Sequence, residues 1–365
     1  MVGIIKTIHK PSLIAEHLYV GSCPLPGERT PTTMKEIGRE LGISVATVSR
    51  ALGNRREVSG KTRERVLRLA KELSYQPNSS ARALATGRTK LIGLIVPDLV
   101  HPFFAQVALG ISAELRAYDY GLIISSSEED PRLESREIEQ MVARRVDALI
   151  LASTQASVEC LRTIENHRQS FVLLDRRVPG LAADFVGIDD VMAGSLGTSH
   201  LLDIGCRTVA HIAGSDVSTA FDRQAGYCMA LASHNLSLSP AYIVKCQHLD
   251  HSGDAAGYGA MRTLLRLDPR PDGVFCCNDN IAMGAIRSIL EAGFRIPQDI
   301  AVVGCGNVHY ADCLRVPLTS IDQNSNALGQ IAGRMAMSMV KRRNKSAPRS
   351  ILIPARLVIR ASSQR

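Results

Sequence analysis

The 365-residue chain lacks most of the signals that would make it a membrane protein, a metalloprotein or a hydrolase. No apolar run approaches the roughly 20 residues of a membrane span, which predicts a chain free in the cytoplasm with no membrane partner. The nine cysteines are scattered, with no CxxC pair and no regular spacing. That excludes a zinc site or a disulfide framework and leaves buried, reduced thiols. No Walker A loop, HExxH or GxSxG motif occurs, so the common phosphate-binding and hydrolytic constellations are missing and no cofactor or metal is expected. A thiol nucleophile can be imagined at Cys276 or Cys277 near Asp279, with His211 and His251 elsewhere, but nothing in the sequence fixes a base beside the thiol. The segment "LYVGSC" ending at Cys23 faintly resembles a lipoprotein cleavage site, yet Glu16 and His17 interrupt its apolar stretch. Residues 1–30 are read as a disordered leader.

One further absence is local. Between Pro31 and Lys90 there is no aspartate, and 13 Lys and Arg face 5 Glu; elsewhere 30 basic residues face 30 acidic ones. The whole net charge of +8 therefore sits in one short segment. That is the electrostatic footprint of a small nucleic-acid-binding module joined to a neutral body.

The basic segment has helical punctuation. Thr33 can cap a helix carrying Met34, Ile37 and Leu41 at helical spacing, and Gly42 stops it. Ser44 then caps a second helix, Val45 to Leu52, and the short "GIS" joint makes the pair a helix-turn-helix. Val48 and Leu52 would face inward against Ile37 and Leu41, leaving Val45, Ala46, Ser49 and Arg50 outward. A third helix, Lys61 to Leu73, closes the bundle. The outward face is slim, so its backbone can approach base edges: Val45 and Ala46 suit a thymine methyl, and Arg50 suits guanine O6 and N7. Thr47, Ser49, Asn54, Arg55, Arg56, Lys61 and Arg63 suit phosphates, which position without reading sequence.

Beyond this head, Pro77 blocks the helix, Asn78 or Ser79 can cap a short new one over Ser80 to Ala85, and Gly87 ends it. From Leu91 onward, short apolar runs alternate with amphipathic stretches: "LIGLIV", "GLIIS", "DALILA", "FVLLD", "FVGID", "TVAHIAG", "DGVFCCND" and "IAVVGCG". The pattern predicts an α/β body with parallel sheets.

The motifs "ATVSRAL", "YQPN" and "ARALATGRTKLIGLIVPDLVHPFF" resemble the LacI family of bacterial transcription regulators, and the resemblance runs from Thr33 to the C-terminal end. It implies an all-α helix-turn-helix head (31–76), a hinge helix and linker (77–90), and a periplasmic-binding-protein-like body of two parallel-sheet lobes (91–365) that binds an effector and dimerises. The lobes would exchange chain near Asp189, Thr319 and Pro348. The hinge helix would form on operator DNA, with Ala81 along it and Leu84 wedged into the minor groove at the central base step. For the cleft, the resemblance implies effector contacts from Phe103, Phe104, Asp175, Arg223 and Asp279, whose chemistry suits a small polar ring. The implied function is a repressor whose affinity for double-stranded operator DNA is controlled by a sugar or related metabolite, acting as a homodimer or a dimer of dimers. A protein corepressor is an alternative to the small molecule. The sequence departs from the family at one point, carrying "GCGN" (Gly304 to Asn307) where members commonly have "GFDD" or "GYDD". Either the ligand is less hydroxylated than a typical sugar or the two acids were structural. A solute-binding transport protein would share the body but predicts a secretion signal and no basic head.

Overall fold

The computed structural model describes residues 32–53, 57–76, 79–155, 157–246, 253–341 and 347–365. The expected leader, Asn54, Arg55, Arg56, Asn78 and His251 lie outside the described residues. The chain divides between Ser79 and Ser80 into a small head and a large body.

In the head, α1 (Met34–Leu41), α2 (Val45–Leu52) and α3 (Gly60–Glu72) form where their caps dictate. Thr33 and Glu36 make a reciprocal capping box, and Ser44 and Ser59 accept from the amides of Thr47 and Thr62. Each side chain satisfies an amide that would otherwise lack an intrahelical partner. Gly42, at φ +66°, ends α1 in the left-handed conformation that only glycine adopts without strain. Ile37, Val48, Ala51, Val58, Val66 and Ala70 are buried together, with Leu41, Leu52, Leu69 and Leu73 packed around them. The innermost α2 pair is thus Val48 with Ala51, and the expected Leu52 lies at the margin. Val45, Ala46, Ser49 and Arg50 are exposed on the opposite face.

The segment α4 (Ser79–Thr86) is helical, and Gly87 at φ +67° terminates it. The first lobe then runs β1 (Leu91–Val96), α5 (Pro102–Arg116), β2 (Gly121–Ser126), α6 (Pro131–Ala143), β3 (Ala148–Leu151), α7 (Arg162–Asn166), β4 (Phe171–Leu174) and β5 (Asp184–Ile188). The second runs α8 (Asp190–Asp203), β6 (Val209–Ala213), α9 (Ser218–Ser233), β7 (Ile243–Lys245), α10 (Asp254–Leu264), β8 (Gly273–Cys276), α11 (Asp279–Glu291), β9 (Ala301–Cys305) and β10 (Thr319–Asp322). The chain returns through α12 (Ser325–Lys341) to β11 (Ser350–Ile353) and crosses once more to β12 (Arg356–Val358). The two six-stranded sheets have the orders β11-β5-β4-β3-β1-β2 and β12-β10-β9-β8-β6-β7.

Both sheets are parallel except at β12, which pairs antiparallel with β10 at one edge. Burial on both faces explains the unbroken apolar runs. In β1, Ile92, Leu94 and Val96 pack into one core with Phe104, Ile111 and Met335, whereas Ile95 packs into another with Ile138 and Leu161.

The first exchange between lobes falls after β5, at Asp189, as expected. The other two come later than expected. Thr319 begins β10, which still pairs with β9, so the chain leaves the second sheet only after Asp322. Pro348 precedes β11, which pairs with β5 in the first sheet, and the Arg349 amide donates to the Asp184 carboxylate at 2.6 Å; the final crossing is at 354–355.

Candidate DNA interface and ligand cleft

The outer face of α2 presents Val45, Ala46, Ser49 and Arg50 to solvent, as a groove-entering face requires. Thr47 and Ser44 are joined by a 2.9 Å hydroxyl contact at the start of α2. Thr33 caps α1, so Thr33 and Ser44 mark two exposed helix N-termini, where unpaired amides and the helix dipole favour a phosphate. Arg50 Nε meets a Glu57 carboxylate oxygen at 3.3 Å. Arg63 lies in the first turn of α3 and is half-buried. In α4, Ala81 is exposed and Leu84 is 79% exposed, so neither joins a core.

The body holds a cleft lined from both lobes at the C-terminal ends of the strands, where open α/β sheets receive ligands. Asp175 follows β4 at φ +63°, and Glu128 and Glu129 follow β2 at φ +50° and +58°. Three non-glycine residues held in the left-handed region at one cleft are strained, a cost that concentrates at functional sites. His101 caps α5 by accepting from the Phe103 amide through Nδ1. That bond assigns the neutral tautomer carrying its proton on Nε2. Burial, together with the Arg176 and Arg223 guanidiniums, pushes its pKa down to about 4, so the ring is neutral at pH 7. Phe103 and Phe104 stand edge to face, 5.0 Å apart between centroids. Both line the cleft while packing into the first-lobe core.

Arg223 is placed by helix packing. The α8 and α9 helices touch backbone to backbone because Gly194 and Gly226 face each other: a Cβ on Gly194 would overlap the Arg223 carbonyl, and one on Gly226 would overlap that of Val191. This approach sets Arg223 Nε and Nη2 each 2.8 Å from one Asp190 oxygen, and Nη1 2.7 Å from the Cys277 carbonyl. Both side chains are buried, and burial pushes Asp190 up to about 7 against the pull of Arg223. Across the cleft, Arg176 forms a two-pronged pair with Glu129 at 2.7 and 2.9 Å. Burial also raises Asp175, which accepts from Gln323 at 3.5 Å.

Four of the five expected cleft residues, Phe103, Phe104, Asp175 and Arg223, line this space together, and Asp279 does not. Its carboxylate is fully buried and accepts from Ser320 Oγ at 2.6 Å and the Val308 amide at 2.8 Å. It braces the start of α11, so that its neighbours Asn278 and Asn280 reach the cleft. Asn280 is 5% exposed and its Oδ1 has no partner among the described residues, while Arg176 Nε is likewise unpartnered among them. The "GCGN" departure sits behind Asp279 rather than in the lining: a Cβ on Gly304 would meet the Asp279 carboxylate, and Asn307 Oδ1 accepts from Arg360 at 2.7 Å. His101, Arg176, Asn280 and Gln323 were missed from the sequence. Arg176 and Asn280 each follow a singled-out aspartate, and Gln323 follows β10, so strand-end position was the available signal.

Burial raises the Cys276 and Cys277 thiols, which keeps them protonated, and His211 Nδ1 is bonded to the Phe275 carbonyl. Among the described residues no group of three or more His, Cys, Asp or Glu could hold a metal ion. No helix among them is long and apolar enough to cross a membrane.

A basic helix-turn-helix head followed by a two-lobed α/β body with a polar cleft defines a ligand-responsive DNA-binding regulator. Residues 33–78 match the model of bacterial regulatory proteins of the lacI family, and residues 198–363 match that of the periplasmic binding protein-like domain. The ribose operon repressor of Haemophilus influenzae is 33% identical over 335 residues, covering 90% of this chain and 98% of that protein. The HTH-type transcriptional repressor PurR of Mannheimia succiniciproducens is 30% identical, with 90% and 98% covered. Among solved structures, the lac repressor dimer bound to operator and the anti-inducer ONPF superposes with a TM-score of 0.81 at 26% identity, covering 92% of this chain and 99% of that one. A CelR-cellobiose complex superposes at 0.69 with 26% identity, covering 91% and 99%. The chain belongs to the LacI family: it is a DNA-binding transcriptional regulator of the repressor type, controlled by a small-molecule effector.

Proposed function

We propose that this regulator binds a pseudo-palindromic operator as a homodimer in the cytoplasm and is controlled by a neutral, hydrogen-bonding metabolite of the sugar or nucleobase class. The observation that carries the ligand class is the state of the two cleft arginines. Arg176 is neutralised by Glu129 and Arg223 by Asp190, and the lining adds Asp98, Glu128 and Asp175. An anionic phosphate would find both cleft guanidiniums already paired with carboxyl groups and further acids beside them. A neutral ligand can instead donate to Asp175 and to the unpartnered Asn280 Oδ1 while accepting from Arg176 Nε and His101 Nε2. The names of relatives support this reading, since they refer to ribose and cellobiose. Phe103 and Phe104 supply the apolar wall.

On DNA, Val45, Ala46 and Arg50 read base edges. Thr33, Ser44, Thr47, Ser49, Asn54, Arg55, Arg63 and Asn78 position the head on phosphates, and Ala81 and Leu84 enter the minor groove. Pairing of two hinge segments requires two chains, and the ligand acts through its differential affinity for two lobe arrangements. Assembly into a dimer of dimers, and a protein corepressor acting beside the metabolite, are finer variants of the same reading.

The test uses the full-length protein. Selection from random duplexes should yield a two-fold site centred on an easily kinked pyrimidine-purine step. Thermal shifts should appear with neutral sugars or nucleobases, and the same compounds should change affinity for the selected site by about 5-fold to 150-fold. Shifts confined to sugar phosphates would overturn the ligand class, and asymmetric selected sites would overturn the dimeric reading.

A further inference from the structure

On the head, the contact between Arg50 and Glu57 joins the one arginine on the outer face of α2 to the one described acid in the connection between α2 and α3. Arg50 sits in the last turn of α2, whose Val48 and Ala51 are anchored in the head core. Glu57 immediately precedes Val58, which is 9% exposed in the same core, and Ser59, which caps α3. Both backbones are therefore fixed, while the side chains remain 56% and 66% exposed. The contact runs from Nε to Oε2 at 3.3 Å.

We propose that Glu57 is a positioning residue for sequence reading: by holding Arg50 at Nε, it turns the two terminal amines outward as the fork that meets a guanine. This rests on the base-reading role proposed for Arg50. An arginine can offer a parallel pair of N–H groups along either of two edges, and a carboxylate standing 3.3 Å from Nε obstructs the edge that includes Nε and leaves the terminal one open. Fixing the guanidinium before contact means less conformational freedom is lost on reading the base. The same carboxylate stands beside a surface meant for phosphates, so it weakens binding wherever Arg50 finds no guanine. Glu57 thus trades general affinity for discrimination. As an exposed pair it adds little to folding, so its loss leaves the head intact.

The experiment measures the full-length protein against its selected operator, against operators substituted at each half-site position, and against a random-sequence duplex, by fluorescence anisotropy at two salt concentrations. Arg50→Ala identifies the base pair that Arg50 reads, with a loss of about 5-fold to 150-fold in discrimination there. Glu57→Ala is expected to reduce discrimination at that same base pair by about 3-fold or more, leave other positions unchanged and tighten binding to the random duplex. Glu57→Gln keeps the shape of the side chain but removes its charge, so it should lose discrimination much as Glu57→Ala does. Undiminished or sharper discrimination in Glu57→Ala would make the carboxylate a competitor of DNA and overturn the proposal. Weaker binding to every duplex, the random one included, would show a structural role and overturn it equally. If Arg50→Ala altered no base pair, the reading of Arg50 itself would fall, which is distinct from the failure of Glu57 alone.

Discussion

Replacing Arg223 with leucine removes the cation from a buried carboxylate. Asp190 is 5% exposed at its side chain and already lies at about 7, because burial outweighs the attraction of Arg223. Without Arg223, burial and the neighbouring Asp175 and Asp222 act unopposed, and Asp190 must be protonated in the folded protein at neutral pH. Unfolded, it ionises at its ordinary 3.8. Holding the proton at pH 7 then costs about 1.4 kcal/mol for each unit above that value, or roughly 4 kcal/mol. The folded pKa is raised, so the folded state binds more protons than the unfolded one between pH 4 and 7, and stability increases as pH falls. Arg223→Leu should therefore recover on acidification, and Arg223→Leu with Asp190→Asn, which has no proton to hold, should be more stable than the single variant by about 4 kcal/mol at pH 7. That gap should close by about 1.4 kcal/mol per pH unit and vanish near pH 4. Urea unfolding of full-length variants at pH 5, 6 and 7, followed by circular dichroism, measures it. A gap independent of pH, or a double variant no more stable than the single one, would refute the reasoning.

Other outcomes follow from the same geometry. His211 is fully buried, stacked between Tyr227 and Phe275 at 5.3 and 5.1 Å, with Nε2 unpartnered among the described residues; burial pushes its pKa down to about 4, so stability present above pH 6.5 should be lost as pH falls toward 4, and His211→Phe should flatten that slope in acid titrations of unfolding. Gly226→Ala would force α8 and α9 apart, with Ser195 N 2.7 Å from the new Cβ, and should lower stability by about 1–3 kcal/mol and weaken ligand binding together, as read by thermal shift with and without ligand. Leu84→Ala should weaken selected-operator binding while leaving the ligand-induced thermal shift unchanged, because the side chain is 79% exposed and joins no core; a loss of ligand response would contradict the hinge assignment.

The head was legible in the sequence because its determinants are local. Caps such as Thr33 and Ser44 act within three residues, Gly42 stops a helix through its own backbone, and the spacing of Ile37, Val48 and Val66 marks the buried side without reference to anything distant. Eight strands of the body were legible for a related reason: sheets covered on both faces demand unbroken apolar runs. Of the strands that were missed, β7, β11 and β12 lie at sheet edges, where half-exposed residues carry no such signal, and β10, though buried, reads Thr-Ser-Ile-Asp and has no apolar run. The cleft was a different matter. That Asp175 and Arg223 would face a ligand came from their places at element ends, but Asp279 shows what such reasoning cannot decide. Whether its carboxylate meets a ligand or braces a helix depends on Ser320 and Val308, 41 and 29 residues away along the chain. The neutralisation of Arg176 by Glu129, 47 residues distant, and of Arg223 by Asp190, 33 residues distant, likewise belongs to tertiary structure. Local sequence determined which elements form and where charge gathers, because those depend on neighbours in the chain. The chemistry the cleft offers was decided only by folding, because a buried charge takes its character from whichever distant group the packing brings against it.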